Sequence, residues 1–177
     1  MTISNKVRAL VRKRARFACE FCGIEESDAG GELTIDHYQP KIKGGDDNLD
    51  NLLYCCPRCN QYKLDYWPVD TSDLPLWNPR LDSASTHFIE LEDGSLLPLT
   101  AVGGFTLNRL RLNRPQLVEH RLQKRQRIHD ARLLIRRQET IRSLETLNRQ
   151  YASLAEEQQR LLEELSDLMQ LILGRRD

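Results

Sequence analysis

Two C-x-x-C pairs, Cys19/Cys22 and Cys56/Cys59, restrict the folds open to this chain more than any other feature. Four thiolates at this spacing close on one tetrahedral metal ion, the geometry of structural zinc. Cys55 lies next to the second pair. From Cys55 to Cys59 is a step of four, whereas Cys56-Pro57-Arg58-Cys59 repeats the tight knuckle of Cys19 to Cys22. The ligands are therefore read as Cys19, Cys22, Cys56 and Cys59, with Cys55 a spare thiol packed against the core. No apolar run approaches the ~20 residues needed to cross a bilayer, and no apolar segment follows the basic N-terminus as in a secretory signal. The chain reads as cytoplasmic with no membrane partner, a setting in which clustered cysteines ligate metal rather than form disulfides.

A zinc ribbon places about 15 to 20 residues between its knuckles, and the interval here is longer. The insert, TIDHYQPKIKGGDDNLDNLLYC, carries polar residues that a zinc ribbon does not need. Asp36-His37, Pro40, Gly44-Gly45, Asn51-Leu52, Cys56-x-x-Cys59-Asn60 and Lys63, with Cys19-x-x-Cys22 upstream, together resemble the HNH nucleases of the ββα-metal type. The resemblance covers roughly the first third of the chain. It implies a β-hairpin followed by a helix, clamped by the zinc knuckles, with Gly44-Gly45 in the turn of the hairpin. The fold class is then α+β, a small zinc-stapled unit with a C-terminal helical, coiled-coil-like extension.

Residue chemistry supports the same reading. Hydrolysis of a phosphodiester needs an activated water, a counter-charge for the transition state and help for the departing 3′ oxygen. Imidazole changes charge near neutral pH, which suits His37 to accept a proton from water. On a strand Asp36 points away from His37 and offers oxygen to a hard divalent ion. Asn60 adds a neutral oxygen, so that one Mg²⁺ or Mn²⁺ between Asp36, Asn60 and the phosphate would act as a Lewis acid. The resemblance makes Asn51 structural, its amide tying the loop across and holding the His37 ring, and it implies 5′-phosphate and 3′-hydroxyl products. Lys63 is expected at a phosphate. Two other readings stay open at this point: a non-cleaving zinc module that binds nucleic acid or protein, and a nuclease directed at RNA. A pure binding module would not need Asp36, His37 and Asn60 together.

Formal net charge is zero, so any sign of an anionic partner must lie in how charge is distributed. Residues 1–18 are basic without an acid. The segment Leu107 to Arg127 is also cationic, and Arg109, Arg111 and Arg114 in it are expected on the phosphate backbone. Aromatic residues are few, which favours duplex DNA over stacked single strands. The organisation expected is a basic segment or helix over 1–18, the nuclease unit over 19–66, a connecting region over 67–105 and a helical arm over 106–177. In the connecting region Phe88 to Leu91 and Ser95 to Leu99 flank Asp93-Gly94, a hairpin signal. LWNPR (76–80) and RLRLNRP (109–115) resemble segments that accompany the HNH unit in small bacterial proteins.

Helical pattern is expected to begin after Gly103-Gly104, with Thr106 capping a short turn and Pro115 opening a longer helix. Apolar residues spaced by three and four from Leu144 to Ile172 form a heptad seam with Gln158 as its polar member. A straight helix from Pro115 to Leu173 would run on the order of 90 Å. It must either pair, with a second copy or a partner protein, or break into a hairpin.

Overall fold

The computed structural model describes residues 3–173, and the fold is α+β. Helix α1 (Asn5–Arg14) is followed by the short α2 (Glu26–Ala29), strand β1 (Thr34–His37), 3-10 turns at Lys41–Lys43 and Leu49–Asn51, strand β2 (Leu52–Cys55) and helix α3 (Pro57–Lys63). Then come α4 (Ala84–His87), β3 (Phe88–Glu90), β4 (Leu96–Pro98), α5 (Ala101–Arg109) and α6 (Pro115–Leu173). Residues through Lys124 pack as one unit, and Arg125 onward forms a second.

Local chemistry sets these boundaries. Ser4 caps α1 by accepting from Val7 N, and Arg12, Lys13 and Arg14 sit at its negative C-terminal end. Strand β2, LLYC, is buried at every position. It pairs antiparallel with β1 in the register Thr34↔Cys55 to His37↔Leu52, which puts Asp36 opposite Leu53. Pro57 occupies the first turn of α3, where a missing N–H costs nothing, and the Cys56 sulfur accepts from Cys59 N. Strands β3 and β4 form the hairpin expected around Asp93-Gly94, pairing Phe88↔Pro98 through Glu90↔Leu96.

Helix α5 begins earlier than the sequence suggests. Its cap is Thr100, which accepts from Gly103 N, and both glycines lie inside the helix. Gly103 is there for space, since a Cβ would sit 2.4 Å from the His87 carbonyl oxygen. Thr106 caps nothing. It is buried, and its hydroxyl accepts from Trp77 N at 2.7 Å.

The core of the first unit gathers Val11 from α1, Leu52 and Leu53 from β2, and Leu110, Leu112 and Leu117 from the start of α6 and the turn before it. Much of this apolar surface lies outside residues 19–66, so the small metal-stapled segment relies on its flanks as well as on its staple. LWNPR and RLRLNRP contribute here: Leu76, Trp77, Leu110 and Leu112 are all buried. In the second unit α6 is unbroken from Arg125 to Leu173, and its described side chains are exposed.

Candidate metal centre and catalytic loop

The first knuckle is shaped by two residues of positive φ, Arg16 (52°) and Phe17 (60°), which end the α1 turn and aim Cys19 inward. Cys19 N donates to Ile24 O, and Gly23 N donates to Cys19 O. The second knuckle is the N-terminus of α3. Together they bring the sulfurs of Cys19, Cys22, Cys56 and Cys59 within 4.8 Å of one another. Cys22 and Cys56 stand 3.7 Å apart, against an edge of about 3.8 Å for a tetrahedron with Zn–S near 2.3 Å. The donor set, its spacing and its burial all fit zinc. Hydrogen bonds from neighbouring thiols, first that of Cys22, hold the Cys19 thiol well below the usual range. The Cys55 sulfur is buried outside the cluster and faces the Cys56 carbonyl at 3.6 Å.

Arg114 approaches this centre, with Nη2 at 3.9 Å from the Cys59 sulfur and further donation to the carbonyls of Leu110 and Arg111. A four-thiolate zinc would carry an excess of negative charge, part of which the guanidinium would offset. Arg109 also turns inward, lying 4.3 Å over the Tyr66 ring and donating to Lys63 O. Of the three arginines read as backbone contacts, Arg111 alone is in the exposed class, with its guanidinium 4.9 Å from the Tyr62 ring centre.

The other constellation sits at the end of β1. Asp36 Oδ1 accepts from His37 N at 2.8 Å. The Asn51 side chain accepts from Gln39 N and donates to the carbonyls of Gln39 and Asp46, and its own carbonyl accepts from Tyr38 N. The loop from Tyr38 to Leu49 is thereby tied across, as the resemblance implies for Asn51. Gly45 permits this closeness, because a Cβ would lie 1.9 Å from Gln39 O and 2.9 Å from the Asn51 amide nitrogen. Gly44, at φ +87°, ends the Lys41–Lys43 turn. The glycine pair thus lies in the connection between the paired strands β1 and β2, as expected, and shapes the inside of that long loop.

The His37 ring is not held by Asn51. Its Nε2 lies 2.7 Å from Asp47 Oδ1, and the second Asp47 oxygen accepts from Lys41 Nζ at 2.6 Å. Hydrogen bonds from Lys41 and then His37 lower the Asp47 pKa. A carboxylate only accepts, so Nε2 carries the proton and Nδ1 of the neutral ring keeps its lone pair. Asp47 was missed in the sequence because nothing local separates it from Asp46.

Lys63 departs furthest from expectation. Placed at a phosphate by the sequence, it is sealed in the unit: its side chain is 1% exposed, Nζ donates to His37 O at 2.6 Å and stands 3.1 Å from Asp36 Oδ2. It closes α3 onto β1 and neutralises Asp36. Asp36 Oδ2 is itself buried and accepts no hydrogen bond of good geometry, which leaves an oxygen lone pair of the kind a hard cation takes. Asn60, half-buried in the middle of α3, donates its backbone N–H to Cys56 O. Oxygen donors at Asp36 and Asn60 suit magnesium or manganese in chemistry, although the Lys63 ammonium already faces one of them.

Residues 19–65 match the family model of the HNH endonucleases. No curated protein and no solved structure matches the chain. The matched segment spans both cysteine pairs, Asp36, His37, Asp47, Asn51, Asn60 and Lys63, and it indicates a nuclease-type function for this unit. None of the described helices is long and apolar enough to cross a membrane.

Proposed function

We propose that the chain is a metal-dependent endonuclease that hydrolyses phosphodiester bonds of DNA, with a structural zinc and His37 as general base. The observation that carries this reading is the Asp47 carboxylate on His37 Nε2, within a segment matched to the HNH endonucleases. Asp47 fixes the tautomer and ring orientation, Lys41 fixes Asp47, and Nδ1 takes the proton of the attacking water. Asn51 keeps the loop that bears Asp47 against the strand that bears His37. A bound magnesium or manganese ion would act as a Lewis acid for the leaving 3′ oxygen. Asp36 and Asn60 are the residues that would hold it. Of Arg109, Arg111 and Arg114, Arg111 is the exposed one and the best suited to a phosphate. The apolar seam of α6 from Leu144 to Ile172 supports association of the chain through this helix.

The test is plasmid and RNA incubated in parallel with the purified zinc-loaded chain, with magnesium or chelator, beside His37→Ala. The expected result is metal-dependent plasmid nicking that falls about 10²- to 10⁴-fold in His37→Ala, with zinc content unchanged. Equal rates in the two proteins would sink the enzymatic reading, and cleavage of RNA alone would replace DNA as substrate. One observation favours a second reading, a non-cleaving zinc module: Asp36 already has the Lys63 ammonium as its counter-charge. Nucleic-acid binding without magnesium-dependent cleavage would select it.

A further inference from the structure

The second unit leaves a long apolar face open. Leu144, Leu147, Tyr151 and Leu154, continuing through Leu161 to Ile172, are 44% to 66% exposed. Next to that seam, at the flanking heptad position that follows the d row, stand Leu134, Ile141, Leu162 and Met169, also 47% to 66% exposed. The face is therefore wider than two residues per heptad and continues upstream to Leu133 and Leu134.

Charge along the helix says what covers it. From Arg125 to Arg149 positive side chains exceed negative ones by four, and from Gln150 to Leu173 negative side chains exceed positive ones by four. A second copy aligned in parallel would set each half against its own sign. It would also stack Arg137 on Arg137, Asp130 on Asp130 and Gln158 on Gln158 along the seam. An antiparallel copy sets each half against the opposite sign. We infer that α6 pairs antiparallel with α6 of a second copy, with the two-fold axis at about Arg149.

In that register Leu147 meets Tyr151 of the second copy, Leu144 meets Leu154, Leu133 meets Leu165, and Thr140 meets Gln158, which places the polar residue of the seam against a polar residue. In antiparallel pairing each flank meets the same flank of the other helix. One flank joins Leu134 to Leu162 and Ile141 to Ala155. The opposite flank joins Arg136 to Glu164, an ion pair that the two-fold axis makes twice. Arg137 faces Leu161 with its aliphatic stem and carries its charge out toward the acidic half. In the parallel alternative Arg136 would meet Ile141 and Glu164 would meet Met169, so neither charge would have a charged partner on the other helix. The inference deepens the proposed association through α6 and uses no residue of the zinc centre or of the His37 loop.

Sedimentation equilibrium of the full chain tests it with a charge exchange. Arg136→Glu and Glu164→Arg each replace two attractive pairs by two repulsive ones and should raise the dimer dissociation constant about tenfold. The double variant should return to within about threefold of the parent. The two single variants mixed should associate more tightly than either alone, because the mixed dimer restores both pairs. A chain that stays monomeric at all concentrations overturns self-association itself. A dimer with no gain in the mixture, or a double variant as weak as the singles, keeps self-association but overturns the antiparallel register. In all of these outcomes the plasmid assay still decides the nuclease reading independently.

Discussion

Lys63 is 0% exposed and Leu134 is 66% exposed, a reversal of the order that charge and hydropathy alone would give. Through Lys124 several charged groups turn inward and meet a partner. Arg12 forms a double hydrogen bond with Glu26, Arg14 and Arg80 converge on Glu20, Lys63 faces Asp36, and Arg121 donates to the carbonyls of Gly94 and Leu112. Beyond Arg125, contacts such as Gln126 with Asp130 and Arg160 with Glu164 run along the helix itself, while leucines face solvent. The first unit spends its charges on holding a site in place. The second keeps its apolar surface for association.

The sharpest way to break this contrast is to remove the staple. Structural zinc contributes on the order of 10 kcal/mol to a small domain. Cys56→Ser should abolish zinc binding and unfold the first unit, as read by metal content and a urea titration. Cys55→Ser should keep its zinc; loss of zinc from that variant alone would reverse the ligand assignment. Next in size is Lys63→Ala, which leaves Asp36 buried without its counter-charge and should cost about 3 to 5 kcal/mol of stability. A variant with parental stability but weaker, less salt-dependent DNA binding would restore Lys63 to the surface role that its sequence suggests.

Asp47→Asn should lower kcat/KM about tenfold by releasing the His37 ring, with zinc content unchanged. The smallest effect concerns acid. Arg12 first, and Tyr54 after it, hold Glu26 below the usual carboxylate range, and Asp47 is lowered in the same direction. A depressed folded pKa adds stability that is complete above the unfolded value, about 4.3 for glutamate, and is lost as pH falls through the folded value. Glu26→Gln should therefore flatten the acid limb of stability measured by urea between neutral pH and pH about 3. An unchanged acid limb would remove Glu26 from the account.

Several features were legible because they are local. Cysteine spacing is a property of a few neighbouring bonds, and the cysteines meet where that spacing requires. The hairpin around Asp93-Gly94 and the opening of α6 at Pro115 follow from residue types with narrow backbone preferences, and the Asn51 tie from the resemblance to the HNH nucleases. What was not legible depends on distant partners. Lys63 has the spacing of a solvated helix residue, and only the approach of α3 to β1 turns it inward. Asp46 and Asp47 are equivalent until the loop closes over Gly45 and brings one of them to His37. Gly103-Gly104 looks like a break, yet Thr100 caps ahead of it and the His87 carbonyl requires the missing side chain. Among the arginines of RLRLNRP, Arg109 and Arg114 are claimed by Tyr66 and Cys59, contacts across long sequence separations that a run of like charge does not reveal.

The sulfur cluster is closed unevenly. Cys19, Cys56 and Cys59 are buried and Cys22 is not, while Arg114 stands over the Cys59 side. Thiolates react with alkylating agents and peroxides in proportion to access and electron density, and the guanidinium withdraws density from the sulfur it touches. Chemical attack on the centre should therefore begin at Cys22, and an oxidant that ejects a bound metal should leave its first covalent mark there, ahead of any modification of the three enclosed cysteines.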